Sequence, residues 1–165
     1  VKGNLEREVK RRIQSRLKEQ VMDALIEVAP IEVPKALVQA ESNQLADNAR
    51  RDLEMRGLKT KDIPVDPSWF KDQAERRVKL GLIMAELVKS NELHAKPEQI
   101  RALVEEMAQS YEDPSELVRW YYAQPERLAQ AEAVVIEDNV VEWVCAKADT
   151  SDKEVAFDEL MGNAA

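Results

Sequence analysis

The 165-residue sequence predicts an all-α protein of antiparallel helices, on three observations. Apolar residues recur at helical spacing through most of the chain. The 7 prolines stand where helices would begin or stop, and only 4 glycines are available for turns, which favours helices over a sheet joined by glycine turns. The connections between periodic segments are of ordinary length, so successive helices fold back on one another.

The first helix is expected between Asn4, a suitable N-cap, and Pro30, which cannot continue a helix. Leu5, Val9, Ile13, Leu17, Val21 and Leu25 recur every four residues, so its apolar stripe drifts slowly around the axis. At about 25 residues it would span on the order of 38 Å. A second helix starts at Pro34, where a first turn tolerates proline, and carries Leu37, Val38, Glu41, Leu45, Ala49 and Leu53 to Gly57, a suitable residue just past a helix end. A polar, proline-bearing connection follows from Leu58 to Pro67. The third helix is expected from Pro67-Ser68 to about Ser90, with Phe70, Ala74, Val78, Leu82, Ala85 and Val88 on its apolar side and Arg76 and Arg77 on a wet one.

Pro97 opens a fourth helix bearing Ile100, Leu103, Val104, Met107 and Tyr111; Pro114 opens a fifth and Pro125 a sixth, which runs to about Ala148. The sixth is rich in β-branched residues that also suit strands, and Asp138-Asn139 resembles a hairpin turn without its glycine. Helix is the better reading, because Val134, Val141, Cys145 and Ala148 fall on one stripe and Ile136, Val140 and Trp143 on another. Beyond Asp149–Asp152, residues 153–157 read as briefly extended and 158–161 as a last helical turn.

With 44% hydrophobic and 34% charged residues the chain is expected to fold and to be soluble. No apolar run approaches the roughly 18–20 residues that cross a bilayer, so no membrane partner is expected. A chain that opens on Val-Lys-Gly-Asn-Leu-Glu, without an initiator Met or a signal-peptide core, reads as an excised fragment of a longer protein.

Charge is unevenly spread. Residues 1–80 hold 17 Lys and Arg against 14 Asp and Glu, and residues 81–165 hold 7 against 18. Phosphate contacts need positive charge, which argues against direct nucleic-acid binding by the second half. Arg7, Lys10, Arg11, Arg12, Arg16 and Lys18 crowd the first helix, where they read either as a patch for RNA or an acidic partner or, preferably, as a solvated face interleaved with Glu6, Glu8 and Glu19.

Chemistry-bearing groupings are missing from the sequence. No phosphate-cradling glycine loop and no His-Glu-x-x-His occurs. His94 and Cys145 are the only residues of their types, too few for a four-ligand zinc site and ill placed for a nucleophile–base pair. His94 reads as a helix-boundary residue and Cys145 as a buried structural thiol, in keeping with a reducing compartment. Adjacent carboxylates such as Glu105/Glu106 and Glu112/Asp113 read as solubilising. An enzyme is therefore not expected, and no cofactor, nucleotide or metal is implied.

The positive signal is apolar. Leu117, Trp120 and Tyr121 are related by i, i+3, i+4 and share a face of the short fifth helix, with Val118 and Tyr122 on the neighbouring arc. Such a helix is either sandwiched in a core or offered to a partner polypeptide, and helical spacing alone leaves both open.

Asn91-Glu92-Leu93-x-Ala95, Glu98, Ile100, Glu105-Glu106-Met107-Ala108 and Ser110-Tyr111-Glu112-Asp113-Pro114 closely resemble the C-terminal chaperone domain of the bacterial trigger factor family. Val33-Pro34-x-Ala36-Leu37-Val38-x-x-Glu41, Arg76-Arg77-Val78-x-Leu80-Gly81-Leu82 and Phe157-x-Glu159-Leu160-Met161 extend the resemblance over nearly the whole chain. The resemblance implies a single client-binding domain over residues 1–165, an elongated multi-helix body with antiparallel arm-like helical projections. It further implies a cytoplasmic, ribosome-associated, ATP-independent chaperone for unfolded and nascent polypeptides. Ribosome docking and the peptidyl-prolyl isomerase domain would lie in N-terminal and middle portions absent from this chain. Met107, Tyr111, Leu117 and Trp120 resemble client-contacting positions, with Tyr121 added by its shared face. Self-association as a homodimer through the same surface is also implied. The alternatives are a helical adaptor for one defined partner and the helical domain of a periplasmic parvulin-type chaperone.

Overall fold

The computed structural model describes residues 2–58 and 64–162, and every regular element among them is helical. In order these are α1 (Lys2–Val28), α2 (Lys35–Met55), a 3₁₀ turn (Pro67–Phe70) continuing into α3 (Lys71–Asn91), α4 (Pro97–Ala108), α5 (Pro114–Tyr122), α6 (Pro125–Lys147) and α7 (Phe157–Met161). The chain divides into two compact units, residues 24–85 and residues 1–23 with 86–165.

In the first of these, Val38 and Leu45 of α2 pack with the fully buried Ala74 of α3, and Val33 and Phe70 lie against them. Arg50 ties the segment before the 3₁₀ turn to α2 by donating to the Val65 carbonyl at 3.0 Å, and Arg77 pairs with Glu41 at 3.1 Å. Gly57 ends α2 at φ +79°, as expected. Its amide donates to the Glu54 carbonyl at 2.9 Å and the Leu58 amide to the Leu53 carbonyl at 3.0 Å, the paired closure that a left-handed residue permits. The expected connection between Leu58 and Pro67 falls largely on residues 59–63, outside the described residues.

In the other unit, α4, α5 and α6 pack on one another. Val104 of α4 and Val140 of α6 are fully buried, and each burial contributes about 1.5–3 kcal/mol. The helix α6 is continuous through its β-branched stretch, but its most buried residues are Ala131, Val135 and Val140. The expected stripe through Val134 and Ala148 is corrected, since both are exposed. The inward face also carries Asn139, a half-buried polar residue. It donates to the carbonyls of Leu93 (3.2 Å) and His94 (3.5 Å) and exchanges amide bonds with Gln99, whose Oε1 also accepts the Lys96 amide. Polar partners satisfy a position that hydrophobic periodicity passes over.

Two further expectations are revised. Asn4 lies inside α1 rather than capping it: the helix already runs at Lys2, and the Asn4 side-chain oxygen accepts the Arg7 guanidinium at 2.6 Å. Cys145 is a free thiol but only half-buried. Of the basic residues of α1, Arg7, Lys10, Arg11 and Arg12 are exposed, as a solvated face requires, and three reach other elements: Arg12 donates to the Leu160 carbonyl (3.0 Å), Arg16 to the Glu159 carbonyl (2.5 Å), and Lys18 pairs with Glu137. Cations on the last carbonyls of α7 satisfy groups that a helix end leaves open and favour its dipole.

At the end of α3, Glu92 takes a left-handed φ of 54°, with the Leu93 amide closing on the Val88 carbonyl at 3.1 Å. An L-residue with a Cβ is strained there. Glu92→Gly is expected to raise stability by about 0.5–1 kcal/mol, read as a higher denaturant midpoint with unchanged slope. Asn139→Ala is expected to lower it by roughly 2 kcal/mol, since the Leu93 carbonyl and the Gln99 amide lose their partner; a shift below 0.5 kcal/mol would show the network to be dispensable.

Candidate functional site

The site lies where α4 hands over to α5. Asp113 is the N-cap of α5: its carboxylate accepts from the amides of Ser115 (3.0 Å) and Glu116 (3.1 Å) and from the Ser115 hydroxyl (2.7 Å). Pro114 follows at the first helical position, where its missing N–H costs nothing. The Tyr-Glu-Asp-Pro segment is thus a turn and cap, and Tyr111, whose amide bonds the Ala108 carbonyl at 3.0 Å, projects from it 60% exposed.

The five residues singled out from the sequence meet at this corner. Tyr111, Leu117 and Trp120, with Glu112, Asp113 and Glu116, line a cleft of about 470 Å³. Trp120 is 48% exposed and stands edge-on to Tyr121, ring centroids 5.2 Å apart at 84°. The Tyr121 hydroxyl points back to the sulfur of Met107 at 4.0 Å, so this half-buried pair supports the corner from behind. None of the residues of α5 is fully buried. The aromatic face is therefore not the inside of a sandwich, the reading that helical spacing left open.

One contributor was not legible beforehand. Arg127, two residues into α6, lays its guanidinium over the Trp120 ring, 3.7 Å from the centroid, and donates through Nη1 to the Trp120 carbonyl at 2.8 Å. Helical spacing does not relate two residues separated by the Pro125 break, so no pattern in the sequence pairs them. A second apolar cleft, about 640 Å³, runs along α1 between Leu5, Val9 and Ile13 and is closed by Phe157. The sequence marked that stripe but not its partner from the far end of the chain.

Hydrogen bonds from the Ser115 hydroxyl, and then from the Glu116 and Ser115 amides, hold the Asp113 carboxyl below the ordinary aspartate value of 3.8. Among the described residues no cluster of His, Cys, Asp and Glu is placed to hold a metal ion, and no helix is long and apolar enough to cross a membrane.

Fold and site together make this an all-helical module with an open aromatic corner. Residues 1–146 match the model of the bacterial trigger factor protein C-terminus, and the chain belongs to that family. It is 80% identical over all 165 of its residues to the trigger factor of Azoarcus sp. (strain BH72), and 76% identical over the same length to that of Aromatoleum aromaticum (strain DSM 19018 / LMG 30748 / EbN1); each match covers 38% of the relative. The trigger factor of Herminiimonas arsenicoxydans is 55% identical over 163 residues, 99% of this chain and 36% of that protein. The chain thus spans well under half the length of these relatives.

Because the folded pKa of Asp113 is depressed, its contribution to stability is complete above the unfolded value and is lost as pH falls through the folded one. Hydrogen exchange at the Ser115 and Glu116 amides is expected to speed up, relative to the Val104 amide, as pH falls below about 3.8. Asp113→Asn, which keeps an acceptor but cannot titrate, is expected to abolish that pH dependence.

Proposed function

We propose that this chain is the client-binding portion of an ATP-independent chaperone, taking up exposed apolar segments of unfolded or nascent polypeptides. The single observation that carries this reading is the aromatic face of α5, which has a supporting layer behind it and water in front. Membership of the trigger factor family supports it, and the relatives named above give no support to a one-partner adaptor or a periplasmic parvulin-type protein.

Tyr111, Leu117 and Trp120 make the contact surface in this proposal, with Met107 and Tyr121 holding it in shape. Tyr111 and Trp120 together offer on the order of 250 Å² of aromatic surface. At about 25 cal/mol per Å² that is roughly 6 kcal/mol before ordering, comparable with the roughly 4–15 kcal/mol that association costs. One corner alone therefore binds weakly and exchanges quickly. Several such surfaces along one client raise avidity without slowing each exchange. Release by this route calls for no nucleotide. A cytoplasmic setting, ribosome association through portions beyond this chain, and a homodimer formed through the same surface belong to the same proposal, and no enzymatic step is assigned to these residues.

Tyr111→Ala with Trp120→Ala is the sharper pair to test, since Tyr121→Ala would also open space behind Met107. The double variant is expected to keep its helical circular dichroism and to bind a permanently unfolded client about tenfold more weakly, roughly 1.4 kcal/mol. Unchanged affinity in a calorimetric titration would remove this corner from the proposal.

A further inference from the structure

We infer that Arg127 is a positioning residue that sets the selectivity of the corner, turning Trp120 from a cation-binding surface into one that takes neutral apolar and aromatic side chains. The inference rests on the functional reading above and adds the class of side chain admitted.

Its geometry is specific. The guanidinium is anchored twice on one residue, by the 3.7 Å stack on the Trp120 ring and by the 2.8 Å bond to the Trp120 carbonyl. That carbonyl is among the last four of α5, which lack partners within the helix, so the bond holds the cation at a position the helix end already favours. With Tyr121 packed edge-on, the indole is fixed in orientation and keeps 48% of the residue exposed, part of it lining the cleft.

An indole face attracts cations through its quadrupole. In a cleft that also carries Glu112, Asp113 and Glu116, a bare Trp120 would make lysine and arginine the favoured guests. Arg127 pre-empts this. One face already holds a cation, and a second cation on the opposite face would stand roughly 7 Å from the first, inside the roughly 8 Å Debye length of physiological salt. The guanidinium also draws π density towards itself and leaves the open face less negative. What remains attractive there is apolar contact, which a neutral side chain makes without meeting that repulsion.

The test uses the full chain and two otherwise identical 12-residue unstructured peptides whose apolar sequence carries either lysine or norleucine at its centre. Affinities come from calorimetric titration, and contact at the corner is followed on the Trp120 indole N–H resonance, assigned by its loss in Trp120→Phe. The unsubstituted chain is expected to prefer norleucine. Arg127→Met keeps the bulk and removes the charge, and is expected to move the affinity ratio towards lysine by about three- to fivefold. Arg127→Lys keeps a cation and is expected to hold the ratio within about twofold of the original. A purely structural role would weaken both peptides alike in both variants, and that equal loss, or an unmoved ratio in Arg127→Met, overturns the inference. Should Arg127→Met unfold the corner, Arg127→Gln carries the same expectation and the same refutation. If Trp120→Ala leaves both peptides bound as before, the functional reading fails as well, an outcome distinct from an unmoved ratio.

Discussion

A nine-residue helix does not hold together in water by itself, since helices shorter than about 12–15 residues are marginal when isolated. Helix α5 persists because both its ends are tied. At the start, the Asp113 carboxylate takes up two of the amides that the first turn leaves open. At the finish, Arg127 reaches back from α6 to the Trp120 carbonyl and brings a positive charge to the negative end of the dipole. A helix secured at its termini need not bury its face to survive. Everything about the corner follows from that: α5 has no fully buried residue, and its aromatic side chains are free to meet something other than their own protein.

The support behind the corner is of the opposite kind. Val104, Ala108 and Val140 are sealed from water, and Asn139 with Gln99 pins the segment between α3 and α4 to the same layer. A rigid backing with an open front suits weak, repeated contact, because the surface is pre-organised and little ordering cost falls on the protein when a guest arrives. The acidic side chains around the cleft, Glu112 and Glu116 among them, keep that open apolar surface solvated. Arg127 stands against this acidic surround as the one charge placed on the aromatic ring itself.

Much of the fold was legible in the sequence. Pro97, Pro114 and Pro125 each stand at the first position of a helix, and Gly57 takes the left-handed conformation that ends α2. The spacing on α5 picked out Leu117, Trp120 and Tyr121, while Met107 and Tyr111 entered through the family resemblance. Two misreadings involve polar side chains. Asn139 occupies an inward position on α6 that an apolar count passes over, and the Asn4 oxygen accepts Arg7 from within α1. A polar side chain is interior or exterior according to whether partners are present, and those of Asn139 come from α4 and the segment before it.

The sequence by itself determined where α4, α5 and α6 start and where α2 stops, because prolines and glycines act through the backbone of their immediate neighbours. It also determined which residues were apolar and at what spacing. Which of those apolar faces stay in contact with water was decided by tertiary structure alone. The Arg127 guanidinium on Trp120, the Phe157 ring against the α1 stripe and the Arg12 bond to Leu160, 148 residues away, each join side chains that no local pattern relates. Exposure is set by what the rest of the chain brings alongside, and only the folded packing supplies that.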